Sequence, residues 1–389
     1  MMCRKIKKRT DRVLIACLLV FLLFLTGCWS RRDLTEISIV AGIGLDRTED
    51  GKIILTVQVV EPAAVQSTAS GKGGSAQQKP VFAESYEGET VYDAVRGILS
   101  VVDKKMFFGS AQVLIIGERL AQDGIEEVLD YFIRDHDFDY EIYILVAKDT
   151  TPMEIFEMET DIDAIPSVYI YGTVDNTESR GTVKKTMLID VIKEMSGNEK
   201  QFAIGSITKA GEMRVKTEGV AVFRDGKLAG WMDRYETRGY LFAMDKIKNA
   251  IINVPAGNGK IAMEIMRSKG KISVEFNNGE LSALIVNVKV YANVGEYKGK
   301  GRLETPDSLY ELEKALGEEI RKEITMAVEK TQKEYCSDIF GFGSYVRKYH
   351  PRYWKKAKRD WLAIFSELPV IVNVDAKAER VGIVMSPIE

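Results

Sequence analysis

The pattern of apolar and polar residues predicts a β-hairpin at the start of the folded chain. Two apolar runs, 37–45 and 53–60, flank a polar turn that contains Asp50 and Gly51. A glycine-containing turn between two such runs is typical of a hairpin. Segment 63–80 is rich in Ala, Ser, Gly and Gln and has no apolar period, so we expect a flexible loop there.

The pattern then alternates between helix and strand. Apolar positions at helical spacing follow Thr90, and AQVLIIG and YEIYILVAK are typical of buried strands. IEEVLDYFIR, between those strands, has the period of an amphipathic helix. This order predicts helices packed on a sheet from about 81 to 150. Residues 151–215 are less regular, with helical patterns in MEIFEME and TMLIDVIKEM.

After residue 216 the pattern favours consecutive strands. GVAVFRDGKLAGWM is predicted to be a second hairpin with its turn at Asp225-Gly226, and ISVEFNN and ALIVNVKVYANVGEY are predicted to be further strands. Val or Ala occupies every second position from Val286 to Val294. This alternation predicts an antiparallel sheet with one covered face.

A long helix is expected to cover that sheet. It would begin at Thr305-Pro306, with Ser308 and Glu311 spaced as a capping box. An apolar stripe then recurs every three or four residues, at Leu309, Leu312, Leu316, Ile320, Ile324 and Val328.

The predicted fold class is therefore α+β, with several domains in which mixed or antiparallel sheets pack against helices. We expect an N-terminal α/β domain at 28–150, a small middle domain at 151–215 and a C-terminal domain at 216–389. The last would be an antiparallel sheet covered by long helices.

Residues 341–365 combine aromatic and basic side chains. Trp354, Ala357, Trp361 and Phe365 recur at helical spacing and are predicted to share one face of a helix. The simpler interpretation is a helix with an aromatic core face and a solvated basic face. The alternative is a surface for anionic lipid or an acidic partner, formed by Arg347, Lys348, Trp354, Lys355, Lys356, Lys358 and Arg359.

The first 28 residues have the organisation of a bacterial lipoprotein signal. Basic residues precede an uncharged run from Val13 to Leu25. A helix of that length spans about 20 Å, too short for a hydrocarbon core of about 30 Å, so a signal peptide fits better than a permanent span. The run ends in Leu25-Thr26-Gly27-Cys28, which matches the lipobox. We expect residues 1–27 to be removed and Cys28 to carry a diacylglycerol; an ordinary signal peptide or a buried helix is the alternative.

Composition narrows the function classes. The whole chain has a net charge of −3, and loss of the basic leader would make the mature chain about −8, which argues against nucleic acid as a partner. With Cys28 lipidated, only Cys336 remains in the mature chain. Neither an intramolecular disulfide nor a cysteine-based zinc site can form.

No motif singles out a catalytic, metal or cofactor site. The two histidines, His136 and His350, lie in no recognisable nucleophile context, and G-x-S-x-G and H-E-x-x-H are absent. RDHDFDY resembles a calcium loop, but Tyr140 and Val146 stand where that loop needs Gly and Glu. In AGIGLDR, Arg47 replaces the third glycine of a dinucleotide fingerprint. An acidic pair for glycoside cleavage stays open, although nothing singles one out. We predict a protein that is not an enzyme and needs no cofactor.

Several phrases together resemble the C-subunit lipoproteins of spore nutrient germinant receptors, the Ger(x)C type. The resemblance begins at LTGCWSRRDL and is strong at FFGSAQVLIIGERLAQDGIEEVLDYFIRDHDFDYEIYILVAK. It continues at GVAVFRDGKLAGWMDRYETRGYLF and DIFGFGSYVRKYHPRYWKKAKRDW. Ser110 departs from the family pattern, in which His is expected, but no catalytic role is attached to that position.

The resemblance implies a lipid-anchored subunit on the outer face of the spore inner membrane. It would assemble with an integral-membrane A subunit and a transporter-like B subunit and help to trigger germination in response to small nutrients. The resemblance also implies a three-domain α+β fold, no enzymatic activity and no direct nutrient binding by this subunit.

Two other classes share the anchor and the size. A solute-binding lipoprotein of a transporter would have two doubly wound lobes, which the consecutive strands after residue 216 do not favour. An exported hydrolase would need a convincing nucleophile or ligand set.

Overall fold

The computed structural model describes residues 37–61, 81–102, 104–135, 138–160, 163–197, 200–256, 259–298 and 305–380. Cys28, the predicted loop 63–80 and His136 lie outside these residues.

The strands are β1 Ile37–Arg47, β2 Ile53–Val60, β3 Val81–Gly88, β4 Lys105–Phe107, β5 Val113–Ile116, β6 Tyr143–Ala147, β7 Phe202–Lys209, β8 Val215–Arg224, β9 Lys227–Met232, β10 Ala250–Ala256, β11 Gly259–Asn277, β12 Glu280–Lys298 and β13 Val370–Arg380. The α-helices are α1 Val91–Gly97, α2 Glu118–Asp123, α3 Glu126–Arg134, α4 Pro152–Phe156, α5 Pro166–Asp175, α6 Leu188–Ser196, α7 Arg234–Ala243, α8 Pro306–Lys330, α9 Phe342–Tyr349, α10 Pro351–Ala357 and α11 Trp361–Glu367.

The first sheet has nine strands in the order β3-β2-β1-β5-β6-β7-β8-β9, with β4 paired to the start of β1. Strands β1, β5, β6 and β7 run parallel, and antiparallel hairpins complete both ends. Helices cover both faces. Because strand side chains alternate, Leu114 and Ile116 pack towards α1, α2, α3 and α6, whereas Val113 and Ile115 pack towards α4 and α5.

The sequence prediction of α+β structure is confirmed, as are both hairpins. The first sheet contains strands from either side of residues 150 and 216, because β6 pairs with β7 and β7 with β8. The division of the chain into domains at those two positions stays a prediction.

The second sheet has the order β10-β11-β12-β13. The predicted alternation in β12 is confirmed, because Val286, Val290 and Ala292 are fully buried in the second core. The sheet is antiparallel as far as β12, but β13 joins it in parallel, which the sequence prediction did not include. The reason is connectivity: α8 and three shorter helices carry the chain across the sheet before β13 begins.

Helix α8 covers this sheet with the predicted apolar stripe: Leu312, Leu316, Ile320, Ile324 and Val328 are buried, and Leu309 is half-buried. The predicted capping box is wrong by three residues. Thr305, not Ser308, is the N-cap, and its hydroxyl accepts a hydrogen bond from the Ser308 N–H at 3.1 Å. Thr305 satisfies the cap because Pro306 takes the first helical position, where no N–H is needed.

Helix α7 crosses α8 at very short range. Arg238 and Glu323 form a buried ion pair between the two helices, and Arg238 also donates to the Ile251 carbonyl at 2.8 Å. Burial raises the pKa of the Glu323 carboxyl, which the Arg238 guanidinium opposes. A Cβ on Gly239 would lie 2.1 Å from the Glu323 carbonyl oxygen, so only glycine permits this approach.

We therefore expect Gly239→Ala to destabilise the protein by about 1–3 kcal/mol, because the added methyl group forces the two backbones apart. Urea unfolding followed by circular dichroism measures the change. Gly172→Ala is the matched control, since Gly172 is also helical and has nothing within 4 Å of its Cβ position. The control should be neutral or stabilising by up to about 1 kcal/mol. Equal effects of the two substitutions would contradict the close crossing.

Candidate partner surface

Residues 342–367 form three short helices, α9, α10 and α11, which we call the helical cap. The prediction of one continuous helix through Trp354 and Phe365 is wrong, because α10 ends at Ala357 and α11 begins at Trp361. The residues of the predicted apolar face still pack inward from the two separate helices. Ala357, Trp361 and Phe365 are buried and Trp354 is half-buried.

A single buried carboxylate organises the cap. Asp338 is 4% exposed and precedes α9 by four residues. Its two oxygens accept hydrogen bonds from the N–H groups of Phe342 at 3.1 Å and Gly343 at 2.6 Å. The indole N–H of Trp361 donates to the same carboxylate at 2.9 Å. Asp338 therefore neutralises the first turn of α9 and fixes α11 against it, as a negative charge at a helix N-terminus should.

Close packing around Trp361 explains the residue types nearby. A Cβ on Gly343 would lie 2.6 Å from the Trp361 indole nitrogen, so glycine is needed for this approach. On its other side Trp361 contacts Trp354 edge-to-face, with ring centroids 5.5 Å apart. This geometry is favourable for aromatic pairs and positions Trp354 at the surface of the cap.

All six predicted basic residues of the cap are exposed: Arg347, Lys348, Lys355, Lys356, Lys358 and Arg359. Arg347 and Lys348 lie in the last turn of α9, and Lys355 and Lys356 in the last turn of α10. Basic residues there face the negative ends of the helix dipoles, which is a stabilising arrangement without any partner. Exposure is consistent with both the solvated-face interpretation and the partner-surface interpretation.

The seven predicted surface residues do not all line the same cleft. Trp354, Lys358 and Arg359 line a cleft of about 530 Å³ together with Gln201, which precedes β7, and Asp225, in the turn between β8 and β9.

Lys356 instead lines a groove of about 430 Å³ beside His350 and Tyr353. Lys355, Arg347 and Lys348 line neither space. The seven residues therefore do not converge on one compact pocket.

The cap is attached to the first sheet through the segment between α8 and α9. The Tyr335 hydroxyl donates to the Trp231 carbonyl at 2.7 Å and accepts from the Trp231 N–H at 3.1 Å. Burial raises the pKa of the Tyr335 phenol, which keeps it protonated and able to donate. Ser337 donates to the Phe223 carbonyl at 2.7 Å. Asp338 then follows directly in the chain.

Sequence reasoning missed the residues that hold the cap, namely Tyr335, Ser337, Asp338 and Gly343. These residues belong to no periodic pattern. The hydrogen-bond partners of Tyr335 and Ser337 are more than 100 residues away in the sequence. Cys28 lies outside the described residues, so its lipidation stays a prediction.

Within the described residues, no helix is both long and apolar enough to cross a bilayer. Among the same residues, no group of three or more His, Cys, Asp or Glu side chains is placed to hold a metal ion.

Comparison with known proteins finds similarity along nearly the whole chain. Residues 30–209 match the family described as spore germination protein N-terminal domain, and residues 218–382 match the family described as spore germination B3/GerAC like, C-terminal. Spore germination protein KC of Bacillus subtilis (strain 168) is 31% identical over 399 residues, which cover 97% of each chain. Spore germination protein B3 of the same organism is 26% identical and covers 93% of this chain and 96% of that protein.

A solved structure shares the fold. The crystal structure of the GerBC protein aligns with a TM-score of 0.57 at 20% sequence identity, covering 87% of this chain and 96% of that one.

We expect Asp338→Asn to destabilise the protein by about 3 kcal/mol. The amide nitrogen that replaces one carboxylate oxygen cannot accept, so at least one of the three buried N–H groups loses its acceptor, and the charge that favours the others is gone. Urea unfolding measures the loss, and near-ultraviolet circular dichroism reports the Trp354–Trp361 packing. Asp360→Asn is the matched control in the same cleft: Asp360 is exposed, and a change within about 0.5 kcal/mol is expected. An Asp338 variant as stable as this control would contradict the organising role of the carboxylate.

Proposed function

The chain belongs to the Ger(x)C family of spore germination proteins, and on this premise we propose that it is the lipid-anchored C subunit of a nutrient germinant receptor. In this proposal it assembles with integral-membrane A and B subunits on the outer face of the spore inner membrane. The observation that carries the proposal is the match of both family regions, in order, along almost the entire chain.

The lipobox supports the anchor. Leu25-Thr26-Gly27-Cys28 follows a basic segment and an uncharged run that is too short to span a bilayer. Lipid on Cys28 would hold the chain at the membrane without a spanning helix. Two acyl chains together supply durable membrane attachment, whereas one chain alone is marginal.

A role in assembly, without catalysis, agrees with how the buried ionisable groups are used. Arg238 and Glu323 pair with each other across two helices. Lys184 donates to the Ala203 carbonyl at 2.8 Å and lies near Glu194. Asp338 caps a helix and holds Trp361. Each of these groups has a structural task, and structural ion pairs need no substrate to explain them.

The helical cap is our candidate for the surface that meets a receptor subunit or the lipid surface. It presents the six basic residues named above, although the mature chain as a whole is acidic. A concentrated basic face on an acidic protein favours an anionic partner and orients its approach.

The solute-binding alternative is less favoured by the fold. A transporter lipoprotein of that class would repeat β-α alternation in both lobes, but β10, β11 and β12 are consecutive antiparallel strands. We propose that this subunit does not bind the nutrient directly.

Replacing Cys28 with serine should abolish lipid attachment. The protein in spores should then leave the membrane fraction, and germination in response to the cognate nutrient should fall. Mass spectrometry of the N-terminal peptide and detergent-phase partitioning report the modification. Unchanged partitioning of the Cys28→Ser protein would rule out the anchor.

Charge reversal by Lys355→Glu with Lys356→Glu should weaken the contact made by the cap. We expect a lower yield of the receptor complex from spore membranes and slower germination, with unfolding stability retained because both side chains are exposed. Lys269→Glu with Lys271→Glu makes the same charge change on exposed positions of β11 and serves as the control. Equal behaviour of the two double variants would exclude the cap as the contact surface.

A further inference from the structure

A row of apolar side chains crosses four strands at the end of the first sheet where the described chain begins. Ile39 of β1 is in register with Phe107 of β4 on one side and with Val60 of β2 on the other. Val60 is in turn in register with Val81 of β3. Residues in register point to the same face of a sheet, so these four side chains form a continuous row.

The row lies just beyond the helices that cover this face. Gln58, two residues before Val60 and therefore on the same face, is completely buried. It donates to the Phe156 carbonyl at 2.9 Å and accepts from Ser167, so α4 and α5 cover the sheet at that level. One step further along the strands, Ile39, Val60 and Val81 are only half-buried, and Phe107 is 48% exposed.

Strand β4 adds a charged side chain to this row. Lys105 lies two residues before Phe107 and therefore on the same face of β4, where it is exposed. We call Phe107, Ile39, Val60, Val81 and Lys105 the tether-side patch. Exposed aliphatic and aromatic side chains next to a lysine are typical of protein surfaces at a membrane interface.

The length of chain between Cys28 and β1 limits the distance between the patch and the lipid. Strand β1 begins at Ile37, and Ile39 lies eleven residues after Cys28. Eleven extended residues reach at most about 40 Å, so lipid on Cys28 keeps the patch within that distance of the bilayer. An apolar surface tied so closely to lipid has the membrane interface as its nearest partner.

We propose that the tether-side patch inserts into the lipid interface, with Phe107 and the exposed parts of Ile39, Val60 and Val81 among the upper acyl chains and Lys105 at anionic headgroups. This inference rests on the proposed lipid anchor. The anchor supplies attachment, and the patch sets the orientation of the first sheet to the bilayer.

The segment between β2 and β3 is a poor alternative cover. It enters at the same end of the sheet, because Val60 and Val81 are paired. Residues 62–80 contain one large apolar side chain, Val65, among Ala, Ser, Gly, Gln and Lys. That composition offers little apolar area to bury against the row.

Lipid-borne quenching of a fluorophore tests the insertion. The full chain carries Cys336→Ser and Phe107→Cys, labelled with the environment-sensitive fluorophore NBD, and is reconstituted after lipidation into phosphatidylglycerol–phosphatidylethanolamine vesicles with brominated acyl chains. Tyr310→Cys is the control, because Tyr310 is 63% exposed on α8, away from the patch. We expect strong quenching at 107 and none at 310. Equal quenching at both positions, or emission at 107 that is already blue-shifted without vesicles and unchanged by them, would overturn the proposal.

A second measurement separates the patch from the anchor. The Cys28→Ser chain should still partition onto phosphatidylglycerol vesicles, and Phe107→Ser should lower that partition about tenfold. Tyr310→Ser should leave it unchanged. Binding of the Cys28→Ser chain that depends on the patch supports this inference even if Cys28 proves to carry no lipid. A lipidated protein with an unquenched label at 107 refutes the inference and leaves the anchor standing.

Discussion

The segment from Tyr335 to Asp338 is the connection on which the arrangement of the molecule depends. In four residues it binds the β8–β9 hairpin through Tyr335 and Ser337, and it fixes the helical cap through Asp338. The hairpin belongs to the first sheet, and α8, which precedes the segment, covers the second. These hydrogen bonds join the first sheet to the cap, and the segment that makes them follows closely on the helix that covers the second sheet. Buried hydrogen bonds of this kind lose most when a single partner is removed.

The spacing of apolar residues predicted those strands and helices in which buried side chains recur at regular intervals. The two hairpins, β5, β6, β12, α3 and the stripe of α8 follow from alternation or helical spacing, because burial on one or two faces imposes that spacing on the sequence. Strand β7 was missed because Gly205 and Ser206 interrupt its apolar run, and β3 because its side chains are largely half-buried. The parallel addition of β13 depends on a long-range connection that no local pattern records.

The candidate surface was predictable in composition but not in shape. The basic and aromatic residue types of 347–361 are visible in the sequence, and their exposure follows from charge. The break between α10 and α11, the placement of Lys356 and Lys358 in different grooves, and the anchoring of the cap by Asp338 and Gly343 are not visible in the sequence. Those residues act through contacts that sequence spacing does not reveal. In the same way, the tether-side patch becomes visible only when strand register aligns Phe107, Ile39 and Val60.

We propose that the protein is a membrane-held subunit whose task is to present surfaces, to lipid on one side and to receptor subunits on the other. Affinity purification of the full, lipidated protein from spore membranes, followed by quantitative mass spectrometry, tests this claim most directly. The account predicts recovery of two multi-pass membrane proteins in amounts comparable to the bait. Recovery of the lipidated protein alone, under conditions that keep other membrane complexes intact, would contradict it.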